Sequence, residues 1–132
     1  MAKHFRELVV WQLAYELRRQ VILLTTKCQT TANRSFVWDI RRSARSVPAN
    51  IAEGHGRFRP ADNHRFLEIA LASLLETENH LLDGLETGAF SRADHETAQK
   101  LVRRLTVALT RLMAYLRTKE AKQNAARYRR RT

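Results

Sequence analysis

The sequence predicts an all-α protein: a four-helix bundle whose second helix is kinked at Pro48. Apolar residues recur at alternating spacings of four and three through four long segments, the pattern of helices that bury one face. Breakers are scarce, with 4 Gly and 2 Pro in 132 residues, and the segments are joined by short polar stretches. A few long helices suit that distribution better than many short strands. Hydrophobic residues make up 44% of the chain, and a domain of this length buries roughly two thirds of its unfolded surface. It can hold a core without staples.

The first helix is expected from about Phe5 to Gln29, with Val10, Ala14, Leu17, Val21, Leu24 and Cys28 as its stripe. Leu8, Trp11, Tyr15 and Ile22 widen that stripe on one flank. Residues 30–34 read as a loop. Phe36, Ile40, Ala44, Val47 and Ile51 mark the second helix, and Pro48 lies inside it. Proline lacks the backbone donor and collides with the carbonyl four residues back, here that of Ala44, so a kink is expected. The apolar pattern continues past it, and Gly54 and Gly56 are expected to end the helix in the left-handed conformation open to glycine.

A third helix should open at Pro60, since proline suits a first helical position, and run to about Leu85. Phe66, Ile69, Ala70, Ser73, Leu74, Leu81 and Leu85 mark its core side, with Leu67, Leu71, Leu75 and Leu82 elsewhere around it. A helix apolar on most sides is central or lies in a subunit interface. Gly84 and Gly88 close it. Ser91 with Asp94 three positions on opens the fourth helix as a capping box, striped by Ala98, Leu101, Leu105, Ala108, Leu112 and Tyr115 and flanked by Val102, Leu109 and Leu116. Apolar periodicity stops after Arg117. The expected organisation is a bundle domain over residues 1–116 and a basic, flexible tail over 117–132.

Charge is the outlying property. The net charge is +11, and such a balance speaks to partners, nucleic acid foremost. The tail, 117–132, holds seven basic groups and one acid, and residues 34–65 hold seven and three. Arg41, Arg42 and Arg45 lie just off the apolar stripe of the second helix, with Arg57 and Arg59 in the loop after it. Forked guanidinium donors match phosphate oxygens; the competing reading is a solvated face or ion pairs with Asp39 and Glu53. In the tail, Arg127, Arg129, Arg130 and Arg131 surround Tyr128, whose ring could stack on a base.

Catalytic and metal chemistry find little support. Glu-x-x-His, which a bundle needs on two helices for a carboxylate-bridged metal, is absent. Glu76 and His80 share a helix face, which reads as a solvated pair. Gly54-His55-Gly56 follows a helix and is too short for a phosphate loop. Cys28, the one cysteine, reads as a small hydrophobe, and no nucleophile elbow is present. No cofactor is expected. The N-terminus lacks the succession of a signal peptide, and no apolar run reaches the roughly 20 residues of a membrane span. A soluble, cytoplasmic protein is expected, which leaves the Asn33-Arg34-Ser35 sequon without meaning.

The stretch DIRRSARSVPANIAEGHGR, Asp39 to Arg57, resembles the signature of the four-helix-bundle proteins encoded in intervening sequences of bacterial large-subunit ribosomal RNA genes. FRELVVWQLAYEL, Phe5 to Leu17, is similar to that family's first helix, and RFLEIALASLLETENHLL, Arg65 to Leu82, to its third. The resemblance covers Phe5 to about Leu116. It implies an antiparallel, up-and-down four-helix bundle that assembles as a ring, a homopentamer. A relative, the accessory variability determinant of diversity-generating retroelements, is a basic pentameric barrel that binds nucleic acid and a reverse transcriptase. The resemblance thus implies a non-catalytic adaptor for RNA or DNA; the alternative is a protein-interaction scaffold for a partner enzyme such as a reverse transcriptase. Departures exist: Cys28-Gln29 stands where the family usually has Phe-Pro, and Ala72 where it tends to have glycine. Within the signature, Pro48, Asn50, Glu53, Gly54 and Gly56 read as architectural. Asn50 or Ser43 is expected to satisfy groups exposed by the kink, and Glu53 to pair with Arg57.

Overall fold

The computed structural model describes residues 2–131. It is all-helical, with no strand among the described residues. A short 3-10 turn, Phe5–Glu7, precedes α1 (Val9–Thr26), α2 (Arg34–His55), α3 (Pro60–Glu86), α4 (Arg92–Leu116) and α5 (Lys119–Arg131). α1 is shorter than its apolar pattern because Leu8 is extended and the chain turns at Lys27–Cys28. The stripe itself is intact: Val10, Ala14, Leu17, Val21, Leu24 and Cys28 are all buried.

α1 packs on α2 and α4, and α3 packs on α2 and α4. Cross-helix partners give the directions. From Arg42–Glu76 to Ser46–Ser73, numbers rise along α2 as they fall along α3. Gln99–Glu78 and Arg117–His64 show the same reversal between α4 and α3. Lys27 at the end of α1 meets Asp94 at the start of α4. Leu17, Leu24, Ile40, Ile51, Leu67, Leu74, Leu81, Leu105 and Leu109 are fully enclosed between the helices, and each such side chain contributes roughly 1.5–3 kcal/mol.

Two stripes sit differently from their sequence reading. On α3 the buried side is Leu67, Ala70, Leu74, Thr77 and Leu81, while Ile69 is exposed. On α4 it is Ala98, Val102, Leu105, Leu109 and Leu116, with Leu101, Ala108 and Leu112 half-buried and Tyr115 exposed. Both helices carry apolar residues on adjacent rows, so periodicity alone does not choose between them. The neighbouring helices do.

The glycines also differ from expectation. α2 runs through Gly54 to His55, and its cap Gly56 has φ −73°, so neither glycine is left-handed. Gly54 is instead a point of close approach: a Cβ there would stand 2.6 Å from Asn63 Oδ1 and 3.0 Å from Phe66 Cβ on α3. Gly84 lies within α3, where a side chain would meet the rings of Phe90 and Phe36. The left-handed glycine is Gly88, φ 79°, which stops α3. Ser91 caps α4 as expected, accepting from the Asp94 N–H at 3.1 Å.

Residues 119–131, expected to lack regular structure, form α5. The Thr118 hydroxyl accepts from the Ala121 N–H at 3.2 Å, and Ala121 and Ala125 are buried. Tyr128, three positions further, lies against Phe58. Ala121, Ala125 and Tyr128 thus form a helical stripe too weakly apolar to stand out in the sequence.

No helix among the described residues is long and apolar enough to cross a membrane.

Candidate nucleic-acid interface

The arginines singled out from the sequence separate into two groups. Arg41, Arg42 and Arg45 lie on the outer side of α2 near its middle. Arg57 and Arg59 lie past its end, roughly 20 Å further along the helix axis, on the side where α5 docks. The structure brings the second group near the tail and keeps both away from the first.

At the first group two open clefts share Arg41 and Arg45. One is lined by Arg18, Val21, Ile22 and Ala44 beside them. The other is lined by Gln29, Thr30, Thr31, Arg34, Val37, Trp38 and Arg42 beside them. Neither lining includes a carboxylate. Helical spacing explains the arrangement. Residues 34, 38, 41 and 45 follow one another at steps of four, three and four, with 42 beside 41, so they project from one side of α2. Val37, Ile40 and Ala44 face inward. Arg18 is contributed by α1.

The individual arginines are held to different degrees. Arg41 donates through Nε to Thr25 Oγ1 at 2.8 Å and through Nη2 to Thr26 Oγ1 at 3.4 Å, which ties one edge of its guanidinium to α1. Its charge also bears on Cys28, whose thiol is pushed above its ordinary value by burial, with the Arg41 guanidinium acting in the opposite sense. Arg42 donates to Glu76 Oε2 at 2.6 Å, and His80 Nε2 lies 3.3 Å from the same oxygen. On α1, the Arg18 and Arg19 guanidinium carbons lie 5.5 and 4.9 Å from the Tyr15 ring centroid, and Tyr15 stacks on Trp11 at 4.8 Å. Such cation–π contacts hold a guanidinium in place without neutralising it.

Arg57 is engaged. It donates to Glu53 Oε1 at 2.7 Å, the pair expected across the glycine turn, and its Cζ stands 4.8 Å from the Phe66 ring centroid. Arg59 precedes α3, and its carbonyl accepts from the Asp62 and Asn63 N–H groups. Arg127, Arg129 and Arg130 are on exposed parts of α5. Arg131 belongs to the same helix, but its side chain lies outside the described residues. Tyr128 packs on Phe58 with centroids 5.9 Å apart, so part of the ring expected to stack on a base is turned to the protein.

Of the architectural residues, Asn50 joins a polar seam between α2 and α3. Asn50 Nδ2 donates to the Ser46 carbonyl at 2.8 Å and contacts Ser46 Oγ at 3.0 Å, and Ser46 Oγ lies 2.8 Å from Ser73 Oγ. The Thr77 hydroxyl lies 2.8 Å from the Ser73 carbonyl oxygen and 2.9 Å from Ser43 Oγ. Ser43 donates to the Ile40 carbonyl. Neither Asn50 nor Ser43 reaches the Ala44 carbonyl that Pro48 leaves without a donor; Asn50 bonds to Ser46 within α2, and Ser43 accepts from Thr77 of α3.

Sequence reasoning missed Arg18, Arg34 and Trp38 as members of the cleft. The signal was present for Trp38, which stands three and seven positions before Arg41 and Arg45. Arg18 joins only through the packing of α1 on α2. Among the described residues no three His, Cys, Asp or Glu side chains gather as a metal ion would require.

A comparison with curated proteins returns no match. Among solved structures, one of a protein of unknown function from the S23 ribosomal protein family of Bacteroides thetaiotaomicron superposes with a TM-score of 0.69 at 24% identity, over 83% of this chain and 100% of that one. That likeness is one of fold. Residues 6–111 match the sequence profile of the 23S rRNA-intervening sequence protein family, a span from the turn before α1 nearly to the end of α4. The chain belongs to the 23S rRNA-intervening sequence protein family.

Proposed function

We propose that the protein is a non-catalytic nucleic-acid-binding adaptor that grips the phosphate backbone through the α1–α2 face. The observation that carries this reading is the sharing of Arg41 and Arg45 by two clefts that also hold Arg18, Arg34 and Arg42 and no carboxylate. Arginines gathered in this way create a field that attracts polyanions and displaces their counterions. The loop and tail arginines, Arg57, Arg59, Arg127, Arg129 and Arg130, form a second, subsidiary basic region past the end of α2.

The architecture in this proposal is an antiparallel, up-and-down four-helix bundle of α1–α4, bent at Pro48 in α2, with α5 as an appended helix. The protomers associate into a ring, the homopentamer that the family resemblance implies. Exposed Ile69, Leu75 and Leu82 on α3 supply apolar area for that contact. Light scattering should return an oligomer; a monomer at working concentrations would remove this part of the proposal.

The test of binding is a titration against RNA and DNA oligonucleotides at several salt concentrations. Affinity should fall steeply as salt rises, with a log–log slope of about 0.7–0.9 for each phosphate engaged. Binding that ignored salt, or none at low salt, would overturn the proposal.

A further inference from the structure

Trp38 is 68% exposed, the highest value among the large hydrophobic side chains. It stands on the outer side of α2 one turn after Arg34 and one turn before Arg41 and Arg42, and it lines the same cleft as all three. The α1–α2 loop lines the same cleft with Gln29, Thr30 and Thr31. A flat apolar ring is therefore set among positive charges and neutral hydrogen-bonding groups.

We propose that Trp38 is a base-stacking platform and that the ligand of this face is single-stranded nucleic acid, RNA or DNA. The inference rests on the phosphate-binding reading given above and names the ligand class of that site. An indole offers its π-face to any base, and stacking of this kind is the usual complement to a basic groove that tracks a single strand. A duplex keeps its bases stacked on each other, so reaching one would require unstacking or flipping. The charge complement also selects nucleic acid over a protein surface. A protein partner covering Trp38 would have to meet Arg34, Arg41, Arg42 and Arg45 with matching carboxylates or bury them unpaired, which is costly. Phosphates along a strand neutralise the same four groups while a base covers the ring.

The chain has two tryptophans, and Trp11 is half-buried against Tyr15, so in Trp11→Phe protein the fluorescence reports on Trp38. Single-stranded oligonucleotides should quench it at low salt, and a duplex of the same sequence should quench it much less. Trp38→Ala should weaken single-strand binding about tenfold or more and leave duplex binding within twofold, with Trp38→Phe recovering part of the loss. Equal affinity for duplex and single strand, with Trp38→Ala indifferent, would overturn the stacking inference and leave phosphate binding standing. Absence of binding by either form at low salt would overturn both. A change in Trp38 fluorescence with protein concentration alone would show the ring covered by a second copy, and would overturn the stacking inference.

Discussion

The ring of Phe58, in the turn between α2 and α3, lies against that of Tyr128 on α5, with centroids 5.9 Å apart. With Ala121 and Ala125 buried beside it, this contact turns a polar, arginine-rich segment into a docked helix. α5 lies beyond residue 111, where the family match ends.

Disrupting that stripe should release α5 alone. Ala125→Glu places a carboxylate at a position only 7% exposed, and the short helix has little else to hold it. Limited trypsin digestion should then cut at Lys119, Lys122 and Arg127 far faster than in the parent protein, while the main thermal transition moves by no more than a few degrees. An unchanged digestion pattern would contradict the docking.

Gly54 and Gly56 should respond in opposite ways to alanine. At Gly54 the new methyl would meet Asn63 Oδ1 at 2.6 Å, Phe66 Cβ at 3.0 Å and the Asn63 backbone oxygen at 3.2 Å. Backbone and Cβ atoms cannot swing aside, so Gly54→Ala should destabilise by about 1–3 kcal/mol. Gly56 has a helical φ of −73° and a nearest atom at 3.4 Å. Gly56→Ala should be neutral or stabilise by up to about 1 kcal/mol. Urea denaturation midpoints of the two variants decide.

These two glycines show where the sequence was legible. The α1 stripe, the start of α3 at Pro60 and the Ser91 cap were readable because each rests on local chemistry. By sequence Gly54 reads as a helix end, since glycine after an apolar run most often means that; its role depends on Asn63 and Phe66 in another helix. The α3 and α4 registers were ambiguous for the same reason, each helix having two adjacent apolar rows. In the cleft, Arg41, Arg42 and Arg45 were legible as a helix-face cluster. Arg18 was not, because only tertiary packing sets it beside them. α5 was missed because alanines contribute so little hydrophobic signal.

Cys28 should become a source of alkaline sensitivity. Burial raises its thiol above its ordinary value, so the folded state holds the proton more tightly than the unfolded state. That contribution to stability is complete below the unfolded value and is lost as pH rises through the folded one. Cys28→Ala should flatten the alkaline limb of the stability profile measured by denaturation, whereas identical limbs would argue that the thiol does not contribute.

Glu76 competes with phosphate for Arg42. The pair is 2.6 Å long with both side chains about half exposed, so its contribution to stability is under about 1 kcal/mol. Glu76→Gln should therefore leave the denaturation midpoint nearly unchanged while tightening nucleic-acid binding a few-fold at low salt. Unchanged binding would place Arg42 outside the interface.

Phosphate binding at the α1–α2 face is tested most directly by the salt dependence of nucleic-acid binding in the parent protein and in an Arg41→Ala/Arg45→Ala variant. Loss of two phosphate contacts should weaken binding at low salt and lower the log–log salt slope by about 1.4–1.8. If the variant binds with the same affinity and the same slope, the α1–α2 face is not where the protein holds its ligand.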